Sequence, residues 1–171
     1  NTQITMENAT PSPTLLIRPA TPADVPSIHL MVQELAIFEN LEKEFEATEA
    51  GLHKCLFGSR PYAEAVIGEF EGRPIAFALY FFSVSTFLGK PGIYLEDLYV
   101  KPAFRHRGFG TQILRHVAKH AVKNGFGRFE WAVLTWNQNA IDAYDKTGAV
   151  PLDEWKTYRL AGSALQAFAS K

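Results

Sequence analysis

The chain has 171 residues, of which 47% are hydrophobic, and a formal net charge of −1. This is enough apolar content for one α/β domain with a full core, and a balance so near neutrality speaks against a dedicated nucleic-acid surface. A single cysteine, Cys55, excludes an intrachain disulfide, and with no signal-peptide pattern and no apolar run of about eighteen residues the expectation is a soluble, cytoplasmic protein without membrane spans.

Residues 1–13 mix Asn, Thr, Ser and Pro without apolar period and read as a flexible N-terminal tail, leaving 14–171 for the domain. Leu15 to Arg18 predicts a first strand. Thr21-Pro22-Ala23-Asp24 then supplies an N-cap, an N1 proline and an early acid, opening a helix that runs through Phe38. A short helix is expected after Thr48, ending near Phe57-Gly58. The apolar runs Tyr62 to Phe70 and Pro74 to Leu88 flank Glu71-Gly72-Arg73, a hairpin signal. Gly89-Lys90-Pro91-Gly92 predicts another turn, into a central strand Ile93 to Val100. A helix, a strand from Arg128 to Thr135, a short helix after Trp136-Asn137 and a last strand near Thr157 to Leu160 complete the order.

The most informative stretch is Tyr94-Leu95-Glu96-Asp97-Leu98-Tyr99-Val100 followed by Arg105-His106-Arg107-Gly108-Phe109-Gly110. Gly108 and Gly110 lack a Cβ, so the chain can bend sharply and a ligand can come close to the backbone. From Phe109 the apolar residues Ile113, Val117 and Ala121 recur at four-residue spacing with Leu114 and Ala118 beside them. This is one buried helical face, and Asn124-Gly125 is its stop signal. The first turn of such a helix has backbone N–H groups without partners and the positive end of the helix dipole, which together favour a bound anion, and Arg105, His106 and Arg107 add positive charge. A plain strand-to-helix turn would use the same glycines. A P-loop is excluded because Thr111-Gln112 follows Gly110 where Lys-Ser/Thr is required, and a dinucleotide fingerprint because position 113 is Ile, not a third glycine.

Arg-x-x-Gly-x-Gly after that strand, together with Trp136-Asn137-x-x-Ala140-x-x-x-Tyr144-x-x-x-Gly148-Ala149, resembles the GNAT superfamily of N-acyltransferases over roughly residues 15–160. Ile17-Arg18-Pro19-Ala20, Glu34-Leu35-Ala36 with Glu39, Tyr94-Leu95-Glu96-Asp97 and Trp136-Asn137 are similar to its diamine (spermidine/spermine) and thialysine acetyltransferases. The resemblance implies a single α/β (α+β) domain whose mixed, mostly antiparallel central sheet has splayed strands flanked by helices. It implies acetyl-CoA as cosubstrate, held by the strand Leu98, Tyr99, Val100, by the turn Arg105, His106, Arg107, Gly108, Phe109, Gly110, Thr111, and by Asn137, Gln138, Asn139, Ala140 and Tyr144. Tyr144 matches the catalytic tyrosine beside the thioester sulfur. Glu96 matches the catalytic carboxylate that takes the amine proton, directly or through water. Phe38, Glu39, Glu96, Asp97, Glu130, Trp131, Ala132, Glu154 and Trp155 match substrate contacts. The family commonly forms homodimers.

These roles meet a chemical requirement. An alkylamine has a pKa of about 10, so it must lose a proton before it can attack a thioester, and a phenol is still protonated at neutral pH when the leaving thiolate needs a proton. Structural readings stand beside them. Glu96 can be an outward residue at a sheet edge, since adjacent acids of a regular strand face opposite sides, with Asp97 turned away from it. Tyr144 can pack with its hydroxyl at a rim, Asn137 and Asn139 can serve only as caps, and the three tryptophans can be core or interface.

A metal is not expected: His116 and His120 lack the glutamate of a zinc-protease helix, and Cys55 has no spaced partner. Both histidines are expected on the solvated surface. The acceptor is expected to be a small cationic amine, since Glu34, Glu39, Glu42, Glu44, Glu46, Glu49, Glu96, Asp97, Asp153 and Glu154 can form an acidic groove or a solvated acidic face. Ser83-Val84-Ser85-Thr86-Phe87-Leu88 departs from the polyamine-acetylating pattern by lacking an acid and a tryptophan, so thialysine, lysine or another amino acid rivals a polyamine. Phe81, Phe82, Phe87 and Trp155 are candidates for an apolar dimer patch. A non-catalytic acyl-CoA-binding module and an acetyltransferase for other amines or protein amino groups are the alternatives.

Overall fold

The computed structural model describes residues 13–171, in two compact units, one ending at Leu134 and the other Thr135–Lys171. All but the last residue of the expected N-terminal tail, 1–13, lies outside the described residues.

The first unit is built on five strands in the order β1 (Leu16–Pro19), β2 (Glu64–Phe70), β3 (Arg73–Ser85), β4 (Lys90–Val100), β5 (Arg128–Trp131). The first four are antiparallel neighbours and β5 runs parallel to β4. Helix α1 (Val25–Phe38) follows β1 after a 3-10 turn (Pro22–Asp24), α2 (Glu49–Phe57) precedes β2, and α3 (Phe109–Lys123) joins β4 to β5. The mixed, mostly antiparallel sheet flanked by helices is thus as expected.

Alternation along β3 shows how the faces are used. Phe77 and Leu79 are buried with Ile28 and Met31 of α1, Leu56 of α2, Ala65 and Ile67 of β2 and Tyr99 of β4. On the other face Tyr80 and Phe82 meet His120 of α3 at ring-centroid distances of 6.0 and 6.3 Å. Phe109, Ile113, Leu114, Val117 and Ala121 of α3 are buried, the face read from their spacing. Phe77 is fully buried, so its truncation to Ala would cost about 3–5 kcal/mol in transfer and cavity terms.

Arg18 fixes the entrance to α1. Its guanidinium donates to both Asp24 oxygens at 2.7 and 2.8 Å and to Glu69 at 2.7 Å, joining β1, the 3-10 turn and β2. The Arg18 hydrogen bonds outweigh desolvation and hold the Asp24 carboxyl down at about 2. The stability this contributes is present above the ordinary carboxylate range and is lost as pH falls through about 2. Thr21 supports the same acid through its backbone N–H at 2.7 Å, so the expected helix start is realised as the 3-10 turn, with α1 proper beginning at Val25.

Several boundaries differ from expectation. The hairpin turn is the two-residue Glu71-Gly72, both at positive φ (51° and 74°), and Arg73 already pairs with Phe70. Two left-handed residues match the twist of the flanking strands, which a three-residue turn would not do in this way. Strand β4 begins at Lys90 rather than after Gly92, since Ser85 pairs with Lys90, and β5 ends at Trp131 rather than Thr135. A Cβ at Gly92 would lie 2.8 Å from Arg128 Cγ, so the close approach of β4 and β5 there requires glycine.

The second unit carries α4 (Gln138–Asp145) and α5 (Gly162–Ala169). The strand expected near Thr157 to Leu160 does not form: these residues have no ladder partner among the described residues and are exposed, with Tyr158 91% accessible. Strand propensity without a neighbouring strand leaves every ladder hydrogen bond unmade, so propensity alone cannot make a strand.

Candidate active site

Strand β4 carries the site because it is irregular in two ways. Leu79 pairs with Asp97 and the next residue, Tyr80, pairs with Leu95, so Glu96 is an inserted bulge residue. Tyr94, opposite Phe81, and Asp97, opposite Leu79, therefore share the α1 side of the sheet although three positions apart. The bulge interrupts the regular two-residue alternation at Glu96, which is exposed, while Asp97 beside it is half-buried. The second irregularity is that β5 pairs only with Gly92 to Leu95. From Glu96 to Val100 that edge of β4 has no strand partner among the described residues. These are the splayed strands: alternation along the β3–β4 ladder turns the backbone groups of Leu98 and Val100 to the open edge and those of Tyr99 to β3, and Val100 C=O accepts from Arg105 Nε, so Leu98 and the Val100 N–H are what the edge offers to an extended ligand.

The carboxylates gather at the bulge. Burial, then the charges of Glu96 and Glu39, pushes the Asp97 carboxyl up to about 7. Burial also raises Glu39. Glu39 is held by the end of α1, where Asn40 is left-handed (φ 58°) and Leu41 donates to Ala36 C=O at 2.8 Å, a Schellman-type stop. Glu96 itself is exposed. A site whose acids repel each other favours the capture of positive charge and of protons.

After Val100 a 3-10 turn (Pro102–Phe104) leads to His106 (φ 61°) and Gly108 (φ 77°, ψ 7°), two left-handed residues flanking Arg107, and Gly108 caps α3. Such alternation makes successive N–H groups converge into an anion-binding concavity that continues into the first turn of the helix. A Cβ at Gly108 would meet no atom within 4 Å, and one at Gly110 only Val100 Cγ2 at 4.0 Å. The space over the turn is open to a phosphate group, so the residues present fit the pyrophosphate of acetyl-CoA.

The three flanking cations differ in their surroundings. His106 and Arg107 are exposed, but Arg105 is half-buried and folds toward α1: its Nε donates to Val100 C=O at 2.8 Å and its Cζ lies 4.7 Å from the Phe38 ring centroid and 5.3 Å from that of Tyr99. Arg107 lies over Phe104 and Phe70 at 5.4 and 5.8 Å.

A cleft of about 560 Å³ opens beside Arg105, lined by Glu34, Ile37, Phe38, Tyr99, Lys101, Pro102, Ala103 and Phe104. Lys101 Nζ meets Glu34 at 2.9 Å, and burial, then Glu34, pushes the Tyr99 phenol up to about 12. Sequence reasoning missed Lys101 and Phe104 as cleft residues; Lys101-Pro102 directly after the strand was the available signal. Glu34, expected in an acidic groove or on a solvated acidic face, lines this cleft with its charge met by Lys101. Glu42, Glu44, Glu46 and Glu49 are exposed and belong to the solvated face.

The other expected contacts belong partly to each unit. Glu130 is ion-paired with Arg128 at 2.8 Å, Trp131 lies 4.9 Å from Phe129 by ring centroids, and Ala132 is exposed just past β5. In the second unit Asn137 caps α4 by accepting from Ala140 N–H at 3.3 Å, as its residue type required. Gln138 donates to Asp142 at 2.6 Å and Asn139 is exposed. Tyr144, in the last turn of α4, is half-buried, and Glu154 and Trp155 are exposed. His116 and His120 are half-buried, not solvated: His120 packs among Tyr80, Phe82 and Phe126, and burial lowers the His116 imidazole. Among the described residues no group of three His, Cys, Asp or Glu side chains is placed to hold a metal ion, and no helix is long and apolar enough to cross a membrane.

An open strand edge that runs into a backbone anion cradle, with carboxylates on the same strand, is the architecture of a group-transfer enzyme that uses a phosphate-bearing donor. The sequence model of the acetyltransferase (GNAT) family matches residues 29–149, across both units. The chain is 36% identical to the L-ornithine N5-acetyltransferase NATA1 of Arabidopsis thaliana, covering 88% of this chain and 86% of that protein. It is 37% identical to the thialysine N-epsilon-acetyltransferase of Sus scrofa, covering 92% and 98%. Among solved structures, an integron cassette protein from the mobile metagenome of V. cholerae superposes with a TM-score of 0.78 at 22% identity over 92% of this chain and 98% of that one. The protein belongs to the GNAT acetyltransferase family and is an acetyl-transferring enzyme that acts on amines.

Proposed function

We propose that the enzyme moves the acetyl group of acetyl-CoA to a primary amine of a small cationic molecule, a polyamine or an amino acid of the thialysine or lysine type, by direct attack on the thioester. The observation that carries this reading is the junction on β4 of an unpaired edge, an anion cradle and the acids Glu96 and Asp97. The names of the relatives, which specify the side-chain amines of ornithine and thialysine, support the amino-acid branch, as does the Ser83 to Leu88 segment without an acid or a tryptophan.

In this reading the edge of Leu98, Tyr99 and Val100 binds the donor's extended arm, while amides from His106 to Thr111 and the start of α4, Asn137 to Ala140, bind the rest of it. The donor supplies an acetyl carbon made electrophilic by its thioester. Glu39 and Asp97 attract the ammonium group, with Phe38, Glu130, Trp131, Ala132, Glu154 and Trp155 completing the acceptor site. Glu96 takes the proton the ammonium must lose before its nitrogen lone pair can attack. As the carbon–sulfur bond breaks, the Tyr144 hydroxyl gives its proton to the thiolate, and the second proton that the nitrogen sheds on becoming an amide restores the phenol. We assign the enzyme to the cytoplasm and infer a homodimer, because Phe87 and Phe82 of the first unit are 100% and 47% accessible and leave apolar surface that a second copy would cover; Phe81 is partly withdrawn, stacked on Tyr94, and Trp155 of the second unit is 77% accessible.

The test is thiol release from acetyl-CoA with spermidine, spermine, putrescine, thialysine, ornithine and lysine as acceptors. Release with the amino acids alone assigns the amino-acid branch, and release with polyamines the diamine branch. Binding of acetyl-CoA with no release for any of these amines would overturn the reading in favour of a different acceptor or a binding module.

A further inference from the structure

The first arginine of Arg-x-x-Gly-x-Gly lies next to a phosphate cradle, and charge alone would make it a phosphate ligand. Its contacts point elsewhere. Nε is committed to Val100 C=O, the last residue of β4, and Cζ lies over the rings of Phe38, the last residue of α1, and Tyr99 at 4.7 and 5.3 Å. One side chain therefore touches both the strand edge and the helix end that carries Phe38 and Glu39. Lys101 makes a second tie between the same elements through Glu34, but one turn earlier on α1 and through a half-exposed ion pair, which holds position weakly. A guanidinium held over two rings and bonded to a backbone carbonyl is stiffer, and its donor fork is a feature that lysine cannot copy.

We infer that Arg105 is a positioning residue for the amine: it holds the end of α1 against β4, so that Phe38 and Glu39 stand at a set distance from Asp97, and it does not serve as a phosphate ligand. The inference rests on the acetyltransferase reading for its kinetic form only. Since Glu39 contributes to the raised Asp97 carboxyl, loosening α1 separates acids that act together on the acceptor, while the amides at Gly108 to Thr111 keep their geometry.

The experiment compares wild type with Arg105→Lys and Arg105→Gln. Calorimetry gives the CoA dissociation constant and steady-state thiol release gives kcat and the amine KM. We expect the amine KM to rise at least tenfold in both variants, with CoA affinity within threefold of wild type and no rescue by lysine. CoA binding weakened tenfold or more in Arg105→Gln and restored in Arg105→Lys would overturn the inference, because that is the signature of a charge on phosphate; an unchanged amine KM would overturn it too. Hydrogen exchange supplies a readout that needs no turnover: in Arg105→Lys amides of residues 36–41 should exchange at least fivefold faster, with the first turn of α3 unchanged, and equal exchange at 36–41 would sink the idea. If wild type turns over no amine, the acetyltransferase reading fails while the exchange result still judges the role of Arg105. Should Arg105→Gln not fold, Arg105→Met keeps the apolar stem without the donor fork and is expected to speed exchange at residues 36–41 and raise the amine KM likewise; unchanged exchange there counts against the inference.

Discussion

Asp97 sits opposite Leu79 in the β3–β4 ladder while Tyr80, one residue further along β3, sits opposite Leu95. The extra residue between Leu95 and Asp97 is Glu96, and its charge and that of Glu39 both act on the Asp97 carboxyl. Burial first, and then these two charges, set the Asp97 carboxyl near neutrality at about 7.

Asp97→Asn tests that perturbation through stability. Because the folded carboxyl titrates at about 7 and an unfolded one at about 3.9, the native state binds the extra proton between those values and stability falls as pH rises through that window. Asparagine has no charge to desolvate. We expect Asp97→Asn to melt a few degrees above wild type at pH 8, with the difference vanishing by pH 4, as read by thermal unfolding across pH; a pH-independent difference would refute the assignment.

Glu96→Gln separates the two acids as proton acceptors. If Glu96 takes the amine proton, its loss leaves deprotonation to the medium and the kcat/KM profile moves to higher pH. If Asp97 takes it, removal of a neighbouring charge lowers the Asp97 carboxyl and the acid limb moves to lower pH instead. We expect the upward shift, measured with the best amine of the acceptor panel.

Tyr144→Phe removes one oxygen and leaves the ring that packs. We expect at least a tenfold loss in kcat with CoA affinity nearly unchanged, since the hydroxyl acts as the thiolate forms and not in the ground state. Equal turnover would take Tyr144 out of the mechanism.

Gly108→Val introduces a branched side chain at φ 77° in a place that is otherwise open. Left-handed strain there costs roughly 1–2 kcal/mol, an amount a folded domain tolerates. CoA binding is expected to be lost by calorimetry while the melting transition remains cooperative; retained affinity would show that the donor does not approach the turn.

Much of this was legible in the sequence because it is local. The buried stripe of α3, its Asn124-Gly125 stop and the Asn137 cap depend on spacing and on which groups a helix end leaves unpaired, and the structure has all three. The glycine turn needed only backbone freedom. The strand expected near Thr157 failed for the opposite reason: a strand exists only by its neighbour, and propensity does not supply one.

What only the tertiary structure decided concerns the same residues at a finer level. The Leu-Glu-Asp-Leu order reads as plain alternation, and nothing in it marks Glu96 as a bulge, because a bulge is a relation between β4 and β3. Nor does the order of residues tell that β5 stops pairing at Leu95 and so leaves the edge open, or that Arg105 turns from the phosphate side to Phe38, 67 positions earlier in the chain. Sequence by itself determined which chemical groups this enzyme has, since residue types and short-range geometry are written along the chain. Their mutual distances, and with them the shared charge of Glu39, Glu96 and Asp97, came from packing between elements far apart in sequence.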